Sequence, residues 1–166
     1  MSSRERHVLL VLLGLALAAA TTACGFRLQG RMPLPDALAT VYVQTEDSQT
    51  DFVQSLRKSL IASGARVVPD PLEAAAVVRI LEDEATRRVL SLSASNVPRE
   101  YEITYSVRYA VSAGEREVLP AQEVAASRAF TFDERILLAK EHEEDILREA
   151  LANDLASVVM RRLSAL

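Results

Sequence analysis

Tyr101-Glu-Ile-Thr-Tyr-Ser-Val-Arg-Tyr-Ala-Val-Ser112 is the stretch that decides the fold. Tyr101, Ile103, Tyr105, Val107, Tyr109 and Val111 share one side, and Glu102, Thr104, Ser106, Arg108, Ala110 and Ser112 share the other. Successive strand side chains point to opposite faces, so this strict alternation predicts one buried face and one mostly polar face. That is the signature of an antiparallel sheet covered on one side by helices. Just downstream, Ala113–Glu115 supplies a turn. Val124, Ala126, Arg128, Phe130 and Phe132 then alternate again, as a hairpin partner of the first strand would.

Upstream, Val41, Tyr42 and Val43 make a short strand, and Glu46–Thr50 is a polar turn offering Ser48 or Thr50 as a helix N-cap. Phe52, Val53, Leu56, Leu60 and Ile61 follow at helical spacing, with Gly64 placed for a left-handed C-terminal cap. Arg66–Val68 is a candidate strand stopped by Pro69 and Pro71, and Ala75–Leu81 is a stronger one, rich in β-branched residues. The acidic Glu82, Asp83 and Glu84 interrupt it. A second alternation runs from Arg88 to Ala94 and ends at Asn96 and Pro98, which predicts a bend or bulge between the halves. At the other end Leu147, Leu151, Leu155, Val159 and Leu163 recur every fourth residue, an amphipathic helix beginning near Asp133 or Lys140. Its polar side carries Glu143, Glu144, Asp145, Glu149 and Asp154, whereas a membrane-surface helix would be basic there. Packing on the sheet is the expectation.

The amino terminus reads differently. Arg4 and Arg6 precede an apolar run from Val8 to Ala20 that is too short to span a bilayer as a helix and has the anatomy of a secretory signal. Small residues Thr21, Thr22 and Ala23 lead directly into Cys24, the single cysteine, for which no disulfide partner exists in the chain. The pattern resembles a bacterial lipobox. In signals of that kind the leader is removed before the cysteine, and the thiol and the new amine carry acyl chains. Two such chains anchor a protein stably where one is marginal. Gly25 follows the cysteine, rather than the aspartate associated with inner-membrane retention, so the outer membrane is the expected address. The expected organisation is thus a signal at 1–23, a lipidated tether at 24–39 containing Gly25, Gly30, Pro33 and Pro35, and one α/β domain at 40–166.

The chain of 166 residues carries 19 Lys and Arg against 23 Asp and Glu, and from Cys24 onward the balance is 17 against 22. A net negative domain gives no reason to expect nucleic acid as a partner, since neutralising phosphates requires a basic face. Catalytic material is sparse. His7 leaves with the leader and His142 stands among Glu141, Glu143 and Glu144, where a solvated helix face explains it better than metal ligation. There is no nucleophile and base pairing to point to, and no glycine-rich phosphate loop. The expectation is a binding and scaffolding protein rather than an enzyme, with no metal and no cofactor beyond the acyl chains on Cys24.

Cys24-Gly-Phe-Arg-Leu-Gln-Gly30 resembles the mature amino terminus of the LPS-assembly lipoprotein LptE family, whose members begin Cys-Gly-aromatic-basic-Leu. The order of elements also fits, as does Leu138-Ala139-Lys140-Glu141 opening into a long terminal helix. The resemblance implies a two-layer α/β (α+β) sandwich with a mixed, mostly antiparallel sheet and two helices on one face. It implies a partner, the β-barrel LptD, within whose lumen the domain sits as a plug while assisting barrel assembly. It further implies help in delivering lipopolysaccharide to the outer leaflet. Contact with lipid A and core phosphates would need local cations. The candidates are Lys140 with Arg135 beside it, then Arg128, which interrupts an otherwise apolar alternation, then Arg87, Arg88 and Arg99 near the strand-end loop; Arg108 lies on the polar face. A generic periplasm-facing ligand-binding lipoprotein and a lipoprotein enzyme are the alternatives.

Overall fold

The computed structural model of the protein describes residues 33–131 and 137–166, with side chains from residue 143 onward in the second stretch. A 3-10 turn at Asp36–Leu38 leads into β1 (Thr40–Gln44), α1 (Asp51–Ala62) and β2 (Arg66–Val67). After a second 3-10 turn at Pro71–Glu73 come β3 (Ala76–Leu92), β4 (Pro98–Ala113), β5 (Arg116–Thr131) and α2 (Leu137–Leu163). The sheet order is β2-β1-β3-β4-β5, with β1 parallel to both β2 and β3 and the remaining pairs antiparallel. The sheet is mixed, as anticipated, and mostly antiparallel by paired residues because the β3–β4 and β4–β5 pairings are long while those of β1 are short.

Both ends of α1 are set by local chemistry. Thr50, extended at φ −61° and ψ 150°, is the N-cap and accepts from the Val53 amide. At the other end Gly64 takes φ +96°, Ala65 donates to the Leu60 carbonyl and Gly64 to that of Ile61, which together form a Schellman motif. The apolar stripe of α1, Phe52, Val53, Leu56 and Leu60, is fully buried, and so is that of α2, Leu151, Leu155, Val159 and Leu163. They meet Val41, Val43, Val78, Val107, Tyr109 and Val111 in one core. Fully burying side chains of this kind is worth about 1.5–3 kcal/mol each. The core begins before β1: Leu38 is buried and Leu34 packs against it, so the segment expected to be an irregular tether is tied to the domain at its distal end.

Strand β3 departs from the sequence reading. The acidic run Glu82–Glu84 does not interrupt it; β3 continues for 17 residues. The anticipated irregularity is a bulge at Leu81, because Ile80 pairs Tyr109 while Glu82 pairs Arg108. A one-residue slip moves every later side chain to the opposite face. Ala76, Val78 and Ile80 face the helices before the bulge, and Asp83, Ala85, Arg87 and Val89 share rows with Val107, Tyr105, Ile103 and Tyr101 after it. Glu82 and Glu84 are accommodated because they are exposed and their charges stay solvated, while the partly buried Asp83 is satisfied by hydrogen bonds from Thr50 and Tyr105.

The strand-end turns follow their residues. Asn96, at φ 62°, takes the left-handed position in the β3–β4 loop, where Ser93 closes the turn by donating its amide to the Val97 carbonyl at 2.7 Å. Gly114 takes φ 58° in the two-residue reversal between β4 and β5. Among the described residues, no helix is long and apolar enough to cross a membrane.

Candidate functional site

The register places two of the candidate cations in one row. Arg87 on β3 and Arg128 on β5 both pair with Ile103 of β4, so they flank it on the helix-facing side. Two strand spacings put their backbones about 10 Å apart. The next row, toward the β3–β4 loop, is Val89, Tyr101 and Phe130, with the two rings stacked at a 5.8 Å centroid distance and 22° between planes. The guanidinium of Arg87 lies 5.0 Å from the centre of the Tyr101 ring, within cation–π range. Val89 is 47% exposed. Two cations thus border an apolar and aromatic platform where the long hairpin runs along the start of α2.

Helix α2 supplies the counter-charges. Arg87 donates to Glu144 at 2.7 Å and Arg128 to Asp154 at 2.8 Å. Both pairs are half exposed, and ion pairs of this kind contribute roughly 0–1 kcal/mol, so an anionic ligand can displace the carboxylates at small cost. The carboxylate of Glu144 is held by Arg87. The Lys140 side chain, Arg135, Phe132 and the His142 side chain lie outside the described residues, as does Cys24.

The other candidates do not join this row. Arg88 adjoins Arg87 in sequence but points through the opposite face, where it donates to Glu102 at 2.6 Å. Adjacent strand positions cannot share a face, which is why Arg87 and Arg88 do not converge. Arg108 is on that same open face and donates to Glu82 at 2.6 Å. Arg99 is exposed at the start of β4 and makes no ion pair with the described residues. The contributions of Tyr101 and Val89 were not singled out from sequence; the cue was the alternation itself, which puts Tyr101 in phase with Ile103.

A second polar arrangement lies beneath, where β3, β4 and α1 meet. Tyr105 donates to Asp83 Oδ1 at 2.7 Å, Thr50 donates to Asp83 Oδ2 at 2.5 Å, and the Phe52 amide donates to the Tyr105 hydroxyl at 3.4 Å. Burial, and then the hydrogen bond to Asp83 and its charge, push the Tyr105 phenol well above its ordinary pKa. Each group has a structural partner, and the phenol is far from any proton-transfer range at neutral pH. Nearby, Arg148 of α2 donates to Asp51 at 2.9 Å, and this bond holds its guanidinium above its usual pKa. Among the described residues, no group of three or more His, Cys, Asp or Glu side chains is arranged to hold a metal ion.

Comparison with known proteins gives a consistent result. A family model described as "LptE: Lipopolysaccharide-assembly" matches residues 38–163. The LPS-assembly lipoprotein LptE of Yersinia enterocolitica is 28% identical over 160 residues, covering 95% of this chain and 76% of the relative. That of Pectobacterium atrosepticum is also 28% identical, with 95% and 86% covered. Among solved structures, lipoprotein B from Nitrosomonas europaea superposes with a TM-score of 0.70 at 28% identity, covering 85% of this chain and 91% of that one. A minor lipoprotein from Acinetobacter baumannii, at 21% identity, 80% and 94% coverage and a TM-score of 0.65, shares the fold. With the family model spanning the sheet and both helices, the chain belongs to the LptE family of lipopolysaccharide-assembly lipoproteins.

Proposed function

We propose that this protein is anchored in the outer membrane through acyl chains on Cys24, where it plugs an LptD β-barrel, assists its assembly and helps deliver lipopolysaccharide to the outer leaflet. The observation that carries the reading is the family match across residues 38–163. The two faces of the sheet support it. One is covered by α1 and α2, while the other presents Glu82, Glu102, Thr104, Ser106, Arg108 and Ser127, a polar surface suited to the aqueous lumen of a large barrel. The role is one of binding and placement, with no reaction assigned.

Lipopolysaccharide contact is assigned to Arg87 and Arg128, which flank the buried Ile103, with Val89 and Tyr101 beside them and Lys140 and Arg135 expected to add charge from the α2 side. Phosphate oxygens accept charge-assisted hydrogen bonds from guanidinium groups, and acyl chains gain from the adjoining apolar surface. By contrast, the open depression of about 380 Å³ in which Ile80 and Leu81 sit among the carboxylates of Glu46, Asp47, Glu82, Asp83 and Glu84 is unsuited to an anionic ligand.

Affinity purification of the full chain from outer membranes, followed by mass spectrometry, tests the partner. The reading requires a large β-barrel recovered in near-equal amount, and a mature amino terminus at Cys24 carrying acyl mass. A free Cys24 thiol, or a chain recovered from the membrane without a barrel, would count against it.

A further inference from the structure

The two cations that flank Ile103 take their counter-charges from a different layer of the fold. Arg87 of β3 and Arg128 of β5 both reach α2, at Glu144 and Asp154. On the open face the pattern is different. Arg88 is paired with Glu102, and Arg108 with Glu82, and in both cases the two residues are directly opposed in the β3–β4 register, so these pairs support strand pairing. The pairs to α2 do nothing for the sheet. The seating of α2 does not depend on them either, because the buried Leu151, Leu155, Val159 and Leu163 hold it to the core and ion pairs this exposed add little.

We infer that Glu144 and Asp154 are internal competitors for the anion site: each carboxylate occupies the guanidinium that a lipid phosphate takes when lipopolysaccharide binds, and returns to it when the lipid leaves. The inference rests on the assignment of lipopolysaccharide contact to Arg87 and Arg128. A phosphate monoester carries roughly −1.5 to −2 charge at neutral pH and three strong acceptor oxygens, whereas a carboxylate carries a single charge and two oxygens, so the phosphate is the stronger partner. Arg87 keeps its place during the exchange, because its guanidinium also rests 5.0 Å from the centre of the Tyr101 ring. The displaced carboxylates turn to water, to which the Asp154 side chain is already 58% exposed and that of Glu144 29%.

After the exchange both carboxylates still lie near the phosphates, and like charges at short range repel. Competition before binding and repulsion after it hold the affinity below what the two guanidinium groups would give by themselves. Weak binding suits the proposed task, since a site on a delivery route must both accept its ligand and let it go.

The test is binding of bisphosphorylated lipid A to the full chain in detergent, measured for Glu144→Gln, Asp154→Asn and the double variant. Glu149→Gln is the control: this residue is exposed on the same helix and makes no ion pair among the described residues, so its loss removes a charge without freeing an arginine. Each single variant is expected to bind roughly three- to fivefold more tightly, the double roughly tenfold, and the control within about twofold of the wild type, as follows from the worth of exposed ion pairs. The pair Glu144→Ala and Asp154→Ala repeats the measurement without a side-chain amide that could bond the arginine again. In an Arg87→Ala background the gain from Glu144→Gln should vanish, whereas an effect transmitted through the packing of α2 would persist. Lipid A stripped of its phosphates should bind the wild type and all carboxylate variants alike. Unchanged or weaker binding by both the amide and the alanine variants, an equal gain from Glu149→Gln, or a gain that survives loss of Arg87 would overturn the proposal while leaving the site itself standing. Wild-type affinity in Arg87→Glu/Arg128→Glu would instead remove the site, and the inference with it.

Discussion

The hydroxyl of Tyr105 donates to the carboxylate of Asp83 at 2.7 Å, and through Asp83 it is joined to Thr50, the residue that caps α1. The bulge at Leu81 makes this possible, because without the extra residue Glu82 rather than Asp83 would occupy the helix-facing position. A defect in one strand thus ties two strands to the start of a helix. Replacing Tyr105 by Phe is predicted to lower stability by about 1–2 kcal/mol, and Thr50→Ala by about 0.5–2 kcal/mol through the lost cap. The pair should be non-additive in urea denaturation, since both bonds end on Asp83; strict additivity would show that the three residues do not act as a unit.

The same network sets an alkaline limit. The folded-state pKa of Tyr105 is raised above its unfolded value of about 10, so the native state binds the proton more tightly. Its contribution is fully present below pH 10 and declines as pH rises through and beyond that value. Stability of the wild type should fall more steeply above about pH 10 than that of Tyr105→Phe. Parallel curves for the two proteins would contradict the assignment.

Helix packing offers a comparison of magnitudes. Leu56 and Leu155 are essentially inaccessible to solvent, and truncating either to Ala is predicted to cost about 2–5 kcal/mol. Arg148, bonded to Asp51 but 41% exposed, should cost no more than about 1 kcal/mol on replacement by Ala. A larger loss at Arg148 than at Leu56 would mean that the ion pair, rather than the apolar stripe, holds α1 against α2.

For lipopolysaccharide contact, the row geometry separates arginines that the sequence leaves together. Combining Arg87→Glu with Arg128→Glu is predicted to weaken binding to the purified protein by at least tenfold. Arg88→Glu, on the opposite face, and Arg161→Asp, in the last turn of α2, should have little effect. Lys140→Asp is expected to fall with the first group. Equal losses in all four proteins would indicate general electrostatic attraction, and an unaffected double variant would remove the row from the site.

Much of this architecture could be read from residues. The alternation from Tyr101 to Ser112 identified β4 and its buried side, Thr50 and Gly64 marked the ends of α1, and the four-residue spacing from Leu147 to Leu163 identified the buried stripe of α2. The continuity of β3 was not legible, because Glu82–Glu84 contradict a half-buried strand and are tolerated through the exposure of Glu82 and Glu84 and the hydrogen bonds that hold Asp83. Nor was the placement of Arg87 and Arg128 in one row, which depends on the bulge at Leu81 and on the register of β4 with both neighbours. The polar link from Asp83 to Tyr105 and Thr50 spans up to 55 positions in sequence, and no local pattern encodes such a pairing.

Depletion of this protein in its native cell is the most direct test of the central claim that it serves lipopolysaccharide delivery through a barrel partner. The account predicts that mature LptD-type barrel is lost or migrates as an unassembled form and that surface lipopolysaccharide declines with it, with both restored by the wild-type chain. Unchanged barrel assembly together with normal surface lipopolysaccharide after full depletion would contradict the account.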